Sequence, residues 1–275
     1  MPEFSVLLPV YAGDVAPHFA RAVESVTVDQ ELRPAELVIV RDGPVGDDLE
    51  AVLLAAESGE MTAGVPVRVV RLEVNGGLAE ALEVGLGEST HEIVARADAD
   101  DVSLPARFAR QVPLVEVDYD LLGSAITEFN DDESDLGDAR ELPLDSEEIA
   151  RVARFRDPFN HPSVVYRKSA VARAGGYERL DKMEDYWLFV RMINHGARTG
   201  NLPESLVLYR VGQGAYKRRG GRRMLLSELG LQRRMLGAGY VSPLQAARNV
   251  VVRGGYRLIP TSVRERLYRS FVLGS

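Results

Sequence analysis

The sequence predicts an α/β fold: a mostly parallel, Rossmann-like sheet flanked by helices, with a helical C-terminal tail. Two observations carry this prediction. Apolar strands alternate with helical patterns through the first hundred residues, and the pattern is helical from Gly220 onward. The chain has 275 residues, 45% of them hydrophobic and 27% charged, which is typical of a globular domain with an appendage.

Four short apolar runs, each followed by a turn and a helical pattern, define the first half of the predicted sheet. They cover residues 4–9, 36–40, 67–72 and 92–95. Ligands bind at the carboxyl ends of strands in such sheets, so the residues just after each strand are candidates for a site. These are Tyr11, Asp42, Asn75 and the acidic run that begins at Asp98.

The second half is predicted to be more mixed, and strict alternation is expected to fail there. Helices are expected at residues 106–117, 146–156 and 184–194, strands at 121–126, 163–166 and 206–209, and an acidic loop at 130–138. The segment 212–221 is rich in Gly, Lys and Arg and is the expected boundary before the tail.

Charge is distributed unevenly along the chain. Residues 217–275 contain 13 Lys and Arg but two acids, so this segment carries about +11 and the remainder about −19 within a net charge of −8. The basic tail favours contact with an anionic surface, and the alternative is a set of helices packed on the main domain. No nucleic acid is expected as a partner.

The compartment is predicted from three absences. The chain has no cysteine, which excludes thiolate sites and disulfides and favours a reducing environment. The first residues resemble a strand more than a signal peptide, and no run of eighteen apolar residues occurs. We therefore expect a cytoplasmic protein, peripheral to the inner face of the cell membrane if the tail binds lipid.

Three carboxylates, Asp98, Asp100 and Asp101, lie within four positions after the fourth predicted strand. Like charges repel, so the group needs a counterion, and a hard divalent cation such as Mn²⁺ or Mg²⁺ fits carboxylate and phosphate oxygens. The alternative is an acidic cap for the helix that begins near Ala106.

Several motifs in the correct order resemble glycosyltransferase family 2, whose members have the GT-A fold, and bacterial members involved in polysaccharide or cell-wall synthesis in particular. They are SVLLPVYAGD from Ser5, ELVIVRDGP from Glu36, NGGL from Asn75, RADADD from Arg96 and DKMEDYW from Asp181. The resemblance covers residues 4–210. It implies a catalytic domain at 1–216, with a nucleotide-sugar part at 1–105 and an acceptor part at 106–216, and a basic helical tail at 217–275.

The resemblance also implies a role for each site residue. Donor binding falls to Pro9, Val10, Tyr11, Asp42, Asn75, Arg96 and Asp98; metal binding to Asp100, Asp98 and Asp101; the general base is Asp185; and acceptor or phosphate contacts fall to His161, Glu184, Trp187 and Arg210. Structural alternatives exist for most of them: packing for Tyr11, turn formation for Asp42 and Asn75, and an acidic helix start for Glu184 and Asp185.

One departure from the family pattern lies after Leu208-Tyr209-Arg210-Val211. Many relatives have a metal-assisting His there, whereas this chain has Gly212. Gln213, Tyr216, Lys217 and Arg218 are the candidates to serve the diphosphate instead.

The resemblance thus implies an inverting, metal-dependent hexosyltransferase. It would move a sugar from a nucleotide-sugar, UDP-linked by expectation, to a hydroxyl of a glycan or polyprenyl-diphosphate-linked acceptor. The competing hypothesis is a catalytically silent protein that binds sugar nucleotides or acts as a scaffold in a glycan-assembly complex. A nicotinamide dehydrogenase is excluded because residues 9–14 read PVYAGD and not Gly-x-Gly-x-x-Gly.

Overall fold

The computed structural model describes residues 2–140, 142–211 and 221–255. Its strands are β1 (Phe4–Tyr11), β2 (Glu36–Asp42), β3 (Val67–Arg71), β4 (Ile93–Arg96), β5 (Val102–Ser103), β6 (Leu121–Phe129), β7 (Leu136–Arg140), β8 (Val165–Arg167) and β9 (Thr199–Arg210). Its helices are α1 (Ala16–Val26), α2 (Asp47–Glu57), α3 (Leu78–Glu88), α4 (Arg107–Val117), α5 (Ser146–Val152), α6 (Lys168–Arg173), α7 (Glu184–Asn194), α8 (Arg222–Gly237) and α9 (Pro243–Asn249).

The first half forms the predicted parallel sheet. β1 lies between β2 and β4, and β3 pairs with β2, all in parallel. Every residue of β1 except the last is buried, because helices cover both faces of the sheet. One apolar cluster packs beneath α1, α2 and α4, and a second packs beneath α3, α6 and α7. The α/β prediction is therefore confirmed.

The second half breaks the alternation, as predicted. β8 runs antiparallel to β4 and to β6, and β9 is parallel to β6 and antiparallel to β5, which gives the order β3-β2-β1-β4-β8-β6-β9-β5. Part of the expected acidic loop at 130–138 instead forms β7, because Leu136 and its neighbours pair with β6. The strand expected at 206–209 begins at Thr199, since its long pairing with β6 is not visible in local sequence.

Two other boundaries differ from the prediction. α5 ends at Val152 and not at residue 156. The strand expected from residue 163 is preceded by a short 3₁₀ turn, His161–Ser163, and begins at Val165. The turn forms because the Ser163 hydroxyl donates to the Asn160 carbonyl and so closes the backbone locally.

The described part of the tail packs on the main domain. Met224, Leu231 and Met235 of α8 are buried in a third apolar cluster with Tyr186 and Trp187 of α7. α9 begins with a capping box between Ser242 and Gln245 and continues into a π-helical turn, Val250–Gly254. In this segment α8 therefore packs its apolar side chains on the main domain. Within the described ranges, none of the helices has the length and apolar character needed to cross a bilayer.

Candidate active site

The candidate site is a cavity of about 630 Å³ at the carboxyl ends of β1, β2 and β4. Its walls are formed by Pro9, Val10, Tyr11, Gly13, Asp14, Asp42, Asn75, Gly77, Leu78, Ala81, Asp98, Ala99, Asp100, Asp181, Lys182, Glu184 and Arg223. The parallel sheet explains the convergence, because its strands all end at this edge. Most of the residues predicted for the donor and the metal are thus brought together.

Asp42 joins two of the predicted donor motifs. Its two carboxylate oxygens accept hydrogen bonds from the backbone N–H groups of Gly76 and Gly77, at 2.6 and 2.9 Å. The Asn75 side chain donates back to the Asp42 carbonyl at 3.1 Å. Gly43 has φ +82°, and a Cβ there would lie 2.7 Å from the Asn75 backbone nitrogen, so the turn requires glycine. Asp42 and Asn75 therefore form part of the cavity wall, which also includes the half-exposed Tyr11.

Asp14 is a site residue that the sequence analysis did not assign. Its carboxylate lines the cavity and accepts from the Tyr11 backbone N–H at 2.9 Å. Burial raises the pKa of Asp14 to about 7, and the charges of Asp100 and Asp98 add to the shift. Three carboxyl groups thus concentrate negative potential on one wall.

The structure corrects the assignment of Arg96. Its side chain has no exposed surface, so it cannot touch a donor in the cavity. The guanidinium instead pairs with Asp98 and donates to the Ala97 carbonyl. This charge holds the pKa of Asp98 below its ordinary value despite desolvation. Arg96 therefore orients Asp98 from behind the wall.

Asp101 and Arg210 also lie behind the wall. Asp101 is 4% exposed, and its Oδ1 accepts from the Arg210 backbone N–H at 2.8 Å. Arg210 stacks on Phe129 and donates to the Asp100 and Asn130 carbonyls. Neither side chain lines the cavity, and the assignments of Asp101 to the metal and of Arg210 to the acceptor or phosphate stay predictions. Both fasten the acidic run to β9.

The carboxylates that line the cavity are suited to bind a divalent cation. Asp98 and Asp100 present oxygens to the cavity, with Asp14 beside them, and this donor set suits Mn²⁺ or Mg²⁺. Across the described residues, no three His, Cys, Asp or Glu side chains are arranged to hold a metal by themselves. The residues fit a cation that takes its other ligands from a bound diphosphate. Gly212, Gln213, Tyr216, Lys217 and Arg218 lie outside the described residues.

The opposite wall is the start of α7. Glu184 lines the cavity, and burial followed by the charge of Asp185 raises its pKa to about 7. Asp185 accepts from the Tyr186 backbone N–H at Oδ1, and its Oδ2 lies 3.4 Å from Nδ1 of His161. Nothing in the sequence pointed to Asp157. Burial raises the pKa of Asp157, and the nearby charge of Asp185 raises it further.

The side chains of His161 and Trp187 are largely buried. His161 is 9% exposed and contacts Asp185 and the Tyr177 hydroxyl. Trp187 is buried in the cluster that packs α8 on α7, and its Nε1 donates to Glu178 at 2.8 Å. The polar atoms of both side chains have partners inside the protein, and their assignment to direct acceptor or phosphate contact stays a prediction.

The tail contributes to the cavity. Arg223 of α8 lines it and pairs with Asp181, which precedes α7. Lys182, in the same loop, also lines the cavity and has φ +59°. Nothing in the sequence distinguished Arg223 from the other arginines of the tail. Two basic side chains therefore line the same cavity as the three carboxyl groups of the sheet edge.

Comparison with known proteins agrees with this geometry. The family model "Glycosyl transferase family 2" matches residues 5–175. An uncharacterized glycosyltransferase of Haemophilus influenzae is 36% identical over 98% of this chain and 99% of its own length. The amylovoran biosynthesis glycosyltransferase AmsE of Erwinia amylovora is 36% identical over 96% and 97%. An Escherichia coli UDP-Gal:alpha-D-GlcNAc-diphosphoundecaprenol beta-1,3-galactosyltransferase is 32% identical over 98% and 97%.

Solved structures share the fold at low sequence identity. Residues 1–349 of S. aureus TarS, in complex with UDP-GlcNAc, align with TM-score 0.66 and 16% identity over 98% of this chain and 73% of that one. The mannosyltransferase PcManGT of Pyrobaculum calidifontis, with GDP-Man and Mn2+, aligns with TM-score 0.67 and 17% identity over 100% and 76%. With its sheet, its acidic cavity and relatives that match it end to end, this chain belongs to glycosyltransferase family 2 and has the GT-A fold.

Proposed function

We propose that this enzyme transfers a sugar, with inversion, from a UDP-sugar to a hydroxyl of a glycan or polyprenyl-diphosphate-linked acceptor in polysaccharide or cell-wall assembly. One observation carries the proposal. The carboxylates at the end of β4 and the acidic start of α7 belong to the walls of one cavity, through Asp98, Asp100 and Glu184. Donor activation and acceptor deprotonation need these two kinds of wall to face each other.

The donor end is formed by the sheet edge. Pro9, Val10 and Tyr11 offer an apolar and aromatic surface for a base, and the turn held by Asp42 and Asn75 closes its side. A UDP-sugar is favoured because the TarS structure contains UDP-GlcNAc and the Escherichia coli relative is named for UDP-Gal. Asp98, oriented by Arg96, is the candidate partner for the ribose or the metal.

Asp98 and Asp100 would hold the divalent cation, which supplies charge neutralisation to the diphosphate as it leaves. The solved mannosyltransferase contains Mn2+ beside its donor, in support of this role. Lys182 and Arg223 lie on the same cavity and add positive charge where the leaving diphosphate develops negative charge. Arg223 of the tail thereby helps to neutralise the diphosphate, a role that a His at the position of Gly212 has in many relatives.

Asp185 is the proposed general base. It is the second residue of α7, and the dipole at a helix N-terminus favours a carboxylate there. Its side chain is 22% exposed. Removing the proton from an acceptor hydroxyl lets that oxygen attack the sugar on the face opposite the leaving nucleotide. A single displacement of this kind inverts the anomeric configuration.

The acceptor class suggests a membrane-facing surface. We define the tail surface as Leu244, Arg248, Val251 and Val252, which share one exposed face from α9 to the π-helical turn. Leu244 is 81% exposed and Val251 is 72% exposed, unusual values for aliphatic side chains. Arg253 of the basic tail does not belong to this surface, because it pairs with buried Glu228. Arg257, Arg264, Arg266 and Arg269 lie outside the described residues.

A basic groove adjoins the tail surface. It has a volume of about 340 Å³ and is lined by Arg151, Val152, Arg154, Phe155, Arg156, Gln245 and Arg248. Within the described ranges no carboxylate pairs with Arg154, Arg156 or Arg248. Exposed aliphatic side chains beside arginines that have no carboxylate partner favour an anionic lipid surface, where a polyprenyl-diphosphate acceptor would be found. Vesicle flotation tests this part of the proposal.

The test of the activity is nucleotide release from a panel of sugar nucleotides, with and without Mn²⁺ and with a synthetic lipid-diphosphate sugar as acceptor. The proposal expects Mn²⁺-dependent release of UDP that requires the acceptor. Tight binding of a nucleotide-sugar without turnover under these conditions would instead support the silent binding protein or scaffold.

A further inference from the structure

The inference concerns a buried polar chain behind the proposed base. His161 lies between two partners: its Nδ1 is 3.4 Å from Oδ2 of Asp185, and its Nε2 is 3.3 Å from the Tyr177 hydroxyl. Hydrogen bonds of catalytic groups are often long without substrate and tighten when it binds. The chain therefore runs from the interior to the Asp185 carboxylate, next in sequence to the cavity-lining Glu184.

The protonation of this chain follows from its surroundings. Burial, with the charge of Arg96 adding to it, lowers the pKa of His161 to about 4, so the imidazole is neutral at pH 7. Burial also raises the pKa of the Tyr177 hydroxyl well above its ordinary value, so it keeps its proton. A neutral imidazole has one N–H and one acceptor nitrogen. With Nδ1–H toward the acceptor-only Asp185 carboxylate, Nε2 is the acceptor nitrogen that faces the Tyr177 hydroxyl, which also lies beside the Tyr166 hydroxyl.

The imidazole is fixed by its neighbours. It packs edge-on against Phe189 at 6.0 Å between centroids, and it belongs to the 3₁₀ turn whose Asn160 side chain donates to the Ser124 carbonyl. Tyr177 is fixed by its backbone N–H, which donates to Glu83 at 2.7 Å. Gly176 before it has φ +71°, and a Cβ there would lie 2.6 Å from the Glu83 carboxylate.

The two oxygens of Asp185 are then held differently. Oδ1 accepts from the Tyr186 backbone N–H at 2.7 Å, and Oδ2 faces His161. Glu184 and Asp157 are the like-charged neighbours of Asp185, and each has its pKa raised by it. A neutral donor on Oδ2 offsets this crowding and fixes which lone pairs of the carboxylate remain for a substrate.

We propose that His161 and Tyr177 are positioning residues that orient the Asp185 carboxylate for proton abstraction. The proposal rests on the proposed function of Asp185. His161 acts through Asp185 and not on the acceptor, because its two ring nitrogens already have partners inside the protein. The interaction is expected to matter in the transition state, where the carboxylate takes the proton, and little in donor binding.

The test compares His161→Asn with His161→Gln. The Asn NH₂ lies near the position of Nδ1 and can still donate to Asp185, whereas the Gln NH₂ lies near that of Nε2 and faces Tyr177. We expect kcat to fall about 10²-fold for H161Q and less than about tenfold for H161N. The donor Kd, measured by titration calorimetry with Mn²⁺, should stay within about twofold for both. Equal loss of kcat in the two variants would contradict the proposal.

Tyr177→Phe keeps the ring and removes only the hydroxyl. We expect an approximately tenfold lower kcat with an unchanged donor Kd, and unchanged kcat would remove Tyr177 from the proposal. This variant also serves if the His161 variants fold poorly.

The double variant separates this proposal from the proposed function. In an Asp185→Asn background, H161Q should lower kcat no further, because both changes remove one interaction. A full additional loss would show that His161 acts independently of Asp185. If Asp185→Asn alone left kcat unchanged, the base assignment itself would fail, whatever the His161 variants do.

Discussion

The two walls of the cavity treat charge in opposite ways. On the nucleotide side, Asp14, Asp98 and Asp100 lie on one wall, where burial and the charges of Asp100 and Asp98 raise the pKa of Asp14 although Arg96 pairs with Asp98. On the acceptor side, the carboxylates have partners within the protein, since Nδ1 of the neutral His161 lies 3.4 Å from Asp185 and Arg253 pairs with Glu228. The difference suggests that the nucleotide wall is built to bind a metal and a diphosphate, and the acceptor wall to fix one carboxylate in place.

The first prediction breaks the nucleotide wall. Asp100→Ala should abolish Mn²⁺-dependent transfer, a loss of at least about 10²-fold, because the cation loses a carboxylate facing the cavity. The fold should survive, since one of three repelling carboxyl groups is removed. Asp101→Asn is the matched control. Its Oδ1 position still accepts from the Arg210 N–H, so steady-state rates should stay within a few-fold. Similar losses in the two variants would mean that Asp101 also binds the metal.

The second prediction concerns the acceptor side and tests whether the tail surface binds lipid. In flotation with anionic vesicles at low salt, the full chain should rise with the lipid and be released at high salt. Leu244→Glu and Arg156→Glu should each lower the floated fraction several-fold. Arg33→Glu, an exposed arginine on the nucleotide side, makes the same charge change and should float normally. Equal flotation of all four proteins would place the lipid contact elsewhere or remove it.

The third prediction concerns pH and Glu184, the acidic residue that joins the two walls. Its pKa in the folded protein is about 7, above the ordinary 4.5, so the folded state favours the protonated form. The stability this confers is complete below about pH 4.5 and is lost as pH rises toward 7. Glu184→Gln should therefore unfold at a similar temperature to the wild type near pH 4.5 and at a higher one at pH 8.

The size of this effect has an upper bound on the order of 3 kcal/mol, from a shift of about 2.5 pKa units. Differential scanning calorimetry of the metal-free protein measures it. A difference in melting temperature that does not change between pH 4.5 and pH 8 would show that the pKa of Glu184 is the same in the folded and the unfolded state.

The same comparison explains what could be predicted from the sequence. On the nucleotide side each functional residue follows its own strand, so local motifs and the rule for parallel sheets located Tyr11, Asp42, Asn75, Asp98 and Asp100. Local spacing could not tell Asp100, which faces the cavity, from Asp101, which faces β9. That distinction depends on Arg210, more than a hundred residues away. Asp14 was missed because its role depends on burial beside Asp98.

On the acceptor side the contacts are almost all long-range. His161 comes from a 3₁₀ turn, Tyr177 from the loop after α6 and Asp185 from α7, and β8 and β9 carry them to one place by pairings that no periodicity reveals. Arg223 reaches the cavity because apolar residues of α8 pack against α7. The motif around Asp185 could be recognised, whereas the residues that surround it could not.

The most direct test of the central claim, that the two walls act together in one displacement, is the anomeric configuration of the product. The product made with a UDP-sugar and a lipid-diphosphate acceptor would be examined by proton NMR, and the coupling constant of the new anomeric proton compared with that of the donor. With the base on the wall opposite the diphosphate, the configuration should be inverted. A product that retains the configuration of the donor would contradict the account.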